Sequence, residues 1–324
     1  MNPPSRGFDI EEFRARTGNA QSLMRQKGLS ALLLTTEPEV RYYTGYLTRF
    51  WESPTRPWFV ILPAYGTPIA VIPAIGAHLM SQTWLTDIRT WNAPDYTDDG
   101  IGLLAETLCD CVPTGGTIGL ADHMESHARM PLASLRALDG LIGERSIESD
   151  SAITRTLRQI KSDAEIEKIR HAAGIADRAF DRAGEIAAPG VPLSTVFRKF
   201  QMLCLEEGAD WVPYLAGASG HGGYDDVISP ATDAPLATGD VLMLDTGLVW
   251  DGYFCDFDRN FSIGTPSADV VSAHNKLIDA TAAAFEIARP DRKISDLFHA
   301  MDTIAKIGTT GGRLGHGLGM QLTE

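Results

Sequence analysis

Residues 239–261 read Gly-Asp-Val-Leu-Met-Leu-Asp-Thr-Gly-Leu-Val-Trp-Asp-Gly-Tyr-Phe-Cys-Asp-Phe-Asp-Arg-Asn-Phe. Two β-like runs flank Asp251-Gly252, and an Asp-Gly pair in that setting marks a hairpin turn. Centring the turn on this pair makes Gly247 face Asp256. Side chains alternate along a strand, so Asp245 shares a face with Gly247 and lies diagonal to Asp256, ~7–8 Å away between Cα atoms. Asp258 has the same parity and joins them. Carboxylates that close repel one another unless they share a proton or a cation, and a divalent metal is the simple resolution. The alternative is a set of exposed acids on a solvated strand face. Aspartate seldom favours strands, which weighs against it.

Further along, Leu314-Gly-His316-Gly-Leu-Gly319 presents one imidazole in low-bulk backbone. Glycine lets a chain approach a ligand closely, and an imidazole can complete a carboxylate–metal site. A histidine in a glycine loop is also commonly an ordinary loop residue. The segment is no phosphate loop, because no strand precedes it and no Gly-Lys-Ser/Thr follows.

The rest of the chain supplies the setting. Helical spacing covers residues 9–28, and Ser30–Thr36 is a short buried strand. A short helix spans Glu37–Tyr46, and Trp58–Pro63 with Pro68–Pro73 forms a hairpin. Thr117–Ala121 is a strand and Met130–Leu138 a helix. Strands alternating with helices indicate an α/β domain over residues 1–150. From about residue 151 to 324 the texture is α+β. One long helical tract, Ile153–Ala187, has Ile166, Ile169, Ala173, Ala176, Phe180 and Ala183 on its apolar face, with Glu165, Glu167, Lys168 and Arg170 on the polar one. A helix over 193–207 follows, then strands to Phe261, then helices over 268–288 and 294–307. A glycine-rich segment, Gly311–Gly319, comes last.

The formal net charge of −14 argues against nucleic-acid partners, since an acidic surface repels phosphate backbones. Four cysteines at irregular spacing, without a C-x-x-C pair, suit reduced thiols. The N-terminus lacks the apolar core of a signal peptide, and no apolar run reaches membrane-spanning length. Together these give a cytoplasmic expectation.

Asp245-Thr-Gly247, Asp256-x-x-Arg259 and Gly-His316-Gly-Leu-Gly together resemble the pita-bread metallopeptidase family, which includes Xaa-Pro aminopeptidases, prolidases and creatinases. The stretch Arg158–Arg170 resembles the helix that opens the family's catalytic domain. Arg41-Tyr-Tyr-Thr-Gly-Tyr46 resembles a segment of its N-terminal domain. The resemblance implies a creatinase-like α/β domain followed by an α+β pita-bread domain, C-terminally incomplete here. It implies two divalent metal ions (Mn, Co, Zn or Fe) held by two Asp, one His and two Glu. Asp245, Asp256 and His316 match the first three ligands. It further implies a short peptide or small-molecule substrate, a homodimer, and a metal-activated water that cleaves a C–N bond.

Three departures from the family pattern carry expectations of their own. The last two Glu ligands would fall beyond Glu324, so weak or single metal occupancy is expected. Val227-Ile228-Ser229 stands where peptidase members carry a His, and Thr323 stands at a second His position. Both missing imidazoles serve peptide hydrolysis. They favour a non-peptidase member of the fold, such as a small-amide or amidino hydrolase or a sulfoniopropionate-type lyase. A catalytically inactive binding protein is a third reading. His221, the nearest imidazole upstream of the hairpin, is the candidate displaced acid/base group, against an ordinary loop role. Asp258, Arg49 and Trp51 are candidate substrate contacts. Arg49-Phe-Trp51 lies on a loop of the kind that, in creatinase-like dimers, reaches the partner's site, and a packing aromatic is its alternative.

Overall fold

A computed structural model describes residues 3–51, 56–308 and 312–324. The chain divides into two compact units. The first runs to Ala164 and includes Glu324; the second is Glu165–Thr323. Among the described residues no helix is long and apolar enough to cross a membrane.

The first unit is α/β, as expected. Its elements are α1 (Ile10–Lys27), β1 (Ala31–Leu34), α2 (Glu37–Thr44), β2 (Phe59–Pro63), β3 (Ile69–Pro73), α3 (Ala77–Met80), β4 (Asp87–Trp91), α4 (Ile101–Cys111), β5 (Thr117–Leu120), α5 (Leu132–Leu141), β6 (Ser146–Ser149) and α6 (Ile153–Gln159). The six strands form one mixed sheet in the order β4-β3-β2-β1-β5-β6. All four residues of β1 are buried, which fits a central strand covered on both faces. The β2–β3 hairpin pairs Phe59 with Val71 and Ile61 with Ile69. The α2 helix starts with a capping box in which Glu39 Oε2 accepts from the Thr36 hydroxyl at 2.8 Å and from the Thr36 N–H at 3.2 Å.

The second unit is α+β. It comprises α7 (Asp163–Asp181, whose first turn straddles the division), α8 (Leu193–Glu206), β7 (Trp211–His221), β8 (Asp240–Trp250), β9 (Tyr253–Phe254), β10 (Phe257–Ser262), α9 (Ala268–Ile287) and α10 (Ile294–Ala305). The sheet order is β10-β8-β7, with β9 also on β8. On β8, Leu242, Leu244 and Leu248 are wholly buried against Ile175, Phe180, Val196 and Phe200 from α7 and α8. The alternate residues Val241, Met243 and Asp245 are only partly buried on the other face. The turn is built as the Asp-Gly pair requires. Asp251 has φ 44° and Gly252 φ 70°, and positive φ at both central positions is the I′ geometry that matches strand twist.

Two expectations from helical spacing need correction. The tract Ile153–Ala187 is not one helix: α6 ends at Gln159, and α7 begins at Asp163. Ser162-Asp163 is itself a helix-start signal, which outweighs the continuity of the apolar spacing. The buried face of α7 is also rotated from the expected one. Ile166 is 40% exposed, whereas Glu165 and Lys168, expected on the polar side, are 3% and 2% exposed. Lys168 Nζ lies 2.6 Å from Asp251 Oδ2 at the hairpin turn. The Tyr253 hydroxyl donates to Glu165 Oε1 at 2.9 Å, and Lys168 also lies over the Trp250 ring, 5.5 Å from its centroid. The turn thus draws a polar stripe of α7 into the interior.

A buried pair broken on one side leaves an uncompensated charge, at a cost of about 3–5 kcal/mol. Lys168→Met is therefore expected to lower unfolding free energy by that amount. Lys168→Met with Asp251→Asn should recover most of it, because Asn tolerates positive φ. Denaturant titration checks this, and equal stabilities for the wild type and Lys168→Met would refute the clamp.

Candidate metal centre

The hairpin register brings the acidic side chains to one sheet face. Asp258 pairs directly with Asp245, and Asp245 pairs on its other side with Ala216 of β7. Asp256 sits in the short break between β9 and β10, opposite Gly247 by the continuing register. The segment carrying His316 docks on this hairpin. Phe254 N–H donates to the Gly319 carbonyl at 2.8 Å, and Met320 is 6% exposed. A Cβ on Gly247 would come within 2.3 Å of Leu322 Cδ1, so the Leu322 side chain packs directly on the glycine backbone.

His316 Nε2 lies 3.0 Å from Asp256 Oδ2. Its Nδ1 lies 3.0 Å from the Gly317 carbonyl. A carbonyl only accepts, so the proton belongs on Nδ1, and Nε2 turns its lone pair toward Asp256 unless a second proton or a cation intervenes. Asp245 Oδ2 accepts from the Tyr214 hydroxyl at 3.1 Å. Burial raises the pKa of Asp245, with a further push from the Asp258 charge. Burial, then the Asp245 charge, pushes Asp256 up to about 6. These are the signs of carboxylates held together without enough positive charge between them.

The donor types fit a divalent cation: two carboxylates and an imidazole whose free nitrogen faces one of them. Two ligands of one octahedral ion, each about 2.1 Å from it, stand about 3 Å apart at a right angle; the 3.0 Å Nε2–Oδ2 separation is compatible with that and is also an ordinary hydrogen-bond distance. The side chains do not close further than that. Among the described residues, no group of three or more His, Cys, Asp or Glu is gathered tightly enough to hold a metal ion. Asp245 acts on Asp256 through its charge, while His316 touches Asp256.

Of the other candidate residues, Asp258 stays on the carboxylate face and the rest fall elsewhere. His221 ends β7, five residues beyond Ala216, the partner of Asp245, or about 16 Å along the strand. Its ring packs against Gly239 instead. The role of displaced acid/base is therefore withdrawn for His221, because an extended strand carries it away from the carboxylates. Asp258 is exposed and accepts from Asn260 Nδ2 at 3.1 Å. Arg49 and Trp51 belong to the first unit. There Trp51 is 8% exposed, tilted against Trp58 with ring centroids 5.9 Å apart, and its carbonyl accepts from the Arg129 guanidinium. Trp51 is a packing aromatic within that unit, and Arg49 is exposed.

Sequence reading missed Tyr214, whose hydroxyl reaches Asp245, and Arg313, whose charge opposes the rise at Asp256. Tyr214 is paired with Gly247 across a long loop rather than a two-residue turn, so no turn signal gives its register.

Residues 167–324 match Metallopeptidase family M24, and residues 16–160 match the Creatinase/Prolidase N-terminal domain. Over residues 167–324 the chain belongs to metallopeptidase family M24. It is a metallohydrolase of a divalent-metal family. Similar family members include a "Probable dipeptidase PepE" of Mycobacterium tuberculosis, 28% identical over 336 residues, covering 99% of this chain and 83% of that protein. An uncharacterized peptidase, YqhT, of Bacillus subtilis is 26% identical, covering 94% of this chain and 82% of its own length. Among solved structures, dipeptidase PepE of Mycobacterium ulcerans superposes with a TM-score of 0.79 at 26% identity, covering 98% of this chain and 84% of that one. A prolidase of Thermococcus sibiricus shares the fold with a TM-score of 0.83 at 21% identity, over 96% of this chain and 83% of that one.

The M24 carboxylates set a pH dependence for the metal-free protein. Below pH about 4 Asp256 is protonated in both folded and unfolded chains. From there to about 6 the folded chain keeps a proton that the unfolded chain releases, so stability falls as pH rises. Above that the cost is fully present, on the order of 1–2 kcal/mol after solvent screening. Asp256→Asn should therefore stabilise the metal-free protein at pH 7 and lose that advantage near pH 4. Thermal unfolding across this range checks it; a difference that does not change with pH would contradict the assignment.

Proposed function

We propose that this M24 metallohydrolase is a metal-dependent dipeptidase that cleaves the C–N bond of a short peptide. The observation that carries the reading is the His316–Asp256 contact beside Asp245 on one sheet face. Asp245, Asp256 and His316 would hold the metal, and the bound ion would supply Lewis acidity and an acidified water. The chain's own residues do the rest. The Tyr214 hydroxyl holds Asp245 in one orientation. The Gly317 carbonyl keeps the proton of His316 on Nδ1 and leaves Nε2 to ligate. The dipeptidase names of the Mycobacterium relatives support this substrate class.

A second reading keeps the fold and metal but changes the substrate to a small amide, an amidino compound or a sulfonio acid. Thr323 favours it. The Thr323 hydroxyl accepts from Arg313 Nη2 at 3.4 Å, where the family resemblance places an imidazole. A guanidinium beside Asp256 can hold an anionic substrate group but cannot shuttle a proton at neutral pH.

Two measurements separate these readings. Protein loaded in turn with Mn, Co, Zn and Fe is assayed on a panel of Xaa-Pro and other dipeptides, and on small amides and betaines. Turnover of dipeptides is expected; turnover confined to the small amides would select the second reading. Asp245→Ala should lower metal affinity at least ~100-fold, more than the loss seen for supporting residues, with the thermal unfolding curve still cooperative. Unchanged metal content in Asp245→Ala would overturn the ligand assignment.

A further inference from the structure

The first unit holds a cavity of about 340 Å³ that no residue of the metal centre lines. Its volume lies within the range of small-ligand sites, about 300–1,000 Å³. Three stretches of the unit build it. Gly45 ends α2 in the left-handed region, at φ 78°, and leads the chain into Tyr46 and Leu47, which line one wall. A Cβ on Gly45 would come within 2.7 Å of Phe13 Cζ, so the Phe13 ring of α1 packs directly on that turn. Leu79 from α3, with Gln82 and Trp84 from the turns after it, closes the space.

The walls are apolar because most of their polar groups are used within the protein. The Thr44 hydroxyl donates to the Val40 carbonyl at 2.7 Å, the Thr83 hydroxyl to the Met80 carbonyl at 2.8 Å, and Trp84 Nε1 to the Tyr43 carbonyl at 2.9 Å. No lining residue carries a formal charge. Ile10, Leu47 and Leu79 are large apolar side chains left exposed at this one cavity, which sets them apart from apolar residues scattered singly over a surface.

Two polar atoms stand out against these walls. Tyr46 is 2% exposed, yet its hydroxyl makes no hydrogen bond among the described residues. Burial pushes its pKa up to about 12, so it remains a neutral donor. Gln82 Nε2 lies 3.1 Å from His78 Nε2, which leaves Gln82 Oε1 as an acceptor. A buried hydroxyl without a partner is costly, and a ligand oxygen would remove that cost.

We propose that this cavity binds a small neutral amide with a ring-sized apolar body, its carbonyl oxygen accepting from the Tyr46 hydroxyl and Gln82 Oε1 offering an acceptor to its N–H. The proposal does not rest on the dipeptidase reading. Charged molecules, free amino acids and dipeptides among them, would give up hydration here without a countercharge. A purely apolar molecule would fill the walls and leave the hydroxyl unbonded. A flat protein face laid over the mouth would not reach a residue as enclosed as Tyr46, which favours a small molecule over a second copy of the chain.

The test titrates benzamide, benzoate and toluene against the full chain by ligand-detected NMR. Benzamide is expected to bind with a dissociation constant of about 1 mM or below, and benzoate at least ~10-fold more weakly. Tyr46→Phe should weaken benzamide about 3- to 10-fold, the worth of one neutral hydrogen bond, and leave toluene at least as tightly bound. Leu79→Trp, at the mouth, should weaken both; if that variant does not unfold cooperatively, the Tyr46→Phe comparison decides alone. Equal affinity for benzamide and benzoate, or a benzamide affinity that Tyr46→Phe leaves unchanged, overturns the proposal. So does an absence of benzamide binding up to its solubility limit. Self-association in sedimentation that Leu79→Trp abolishes would in that case assign the surface to a second copy.

Discussion

The second unit is organised around one buried ion pair. Lys168 on α7 reaches the Asp251 carboxylate at the hairpin turn, with both side chains almost fully buried. Burying two charges is costly, and their mutual attraction offsets that cost only where geometry and further hydrogen bonds are good. Here the pair is supported by the Trp250 ring under Lys168. Asp251 N–H also donates to Asp210 Oδ2 at 2.6 Å. The turn that is held this way sets the register of β8 against β9 and β10. That register puts Asp258 opposite Asp245 and leaves Asp256 in the break between strands. A one-residue slip would send the carboxylates to the face packed on α7 and α8.

On that platform the site trades stability for chemistry. Asp245 and Asp256 are partly buried, repel each other, and hold protons more tightly than ordinary carboxylates. Strain of this kind is tolerable only where surrounding structure fixes it, and it is common at functional sites. The His316 segment adds a third group by docking its backbone on Phe254 and its Leu322 side chain against Gly247. The segment that carries His316 is thus held on the hairpin by contacts that do not involve the acids themselves.

Much of this could be read from residues alone. Asp251-Gly252 gave the turn, the turn gave the register, and alternation along β8 gave the shared face of Asp245 and Asp258. Short-range chemistry of that kind is written locally. Other features depend on tertiary partners and were not visible. The burial of Glu165 and Lys168 makes sense only once Tyr253 and Asp251 are placed against α7. The expected reach of His221 failed because β7 runs on in extended pairing with β8 for five residues past Ala216, the partner of Asp245. Tyr214 acquires its partner Asp245 across a loop whose length carries no register. Trp51 could be a ligand contact or a core aromatic from sequence, and its packing on Trp58, which supports the second, comes from tertiary structure.

The central claim is that Asp245, Asp256 and His316 are the ligands of a divalent cation, brought together by a clamped hairpin. The most direct measurement is anomalous diffraction from crystals of the full chain grown with manganese. The account predicts a strong peak within bonding distance of all three side chains, with Nε2 of His316 as its only nitrogen ligand. A peak bound elsewhere, or one that touches His316 and leaves Asp245 and Asp256 in contact only with protein, would contradict it.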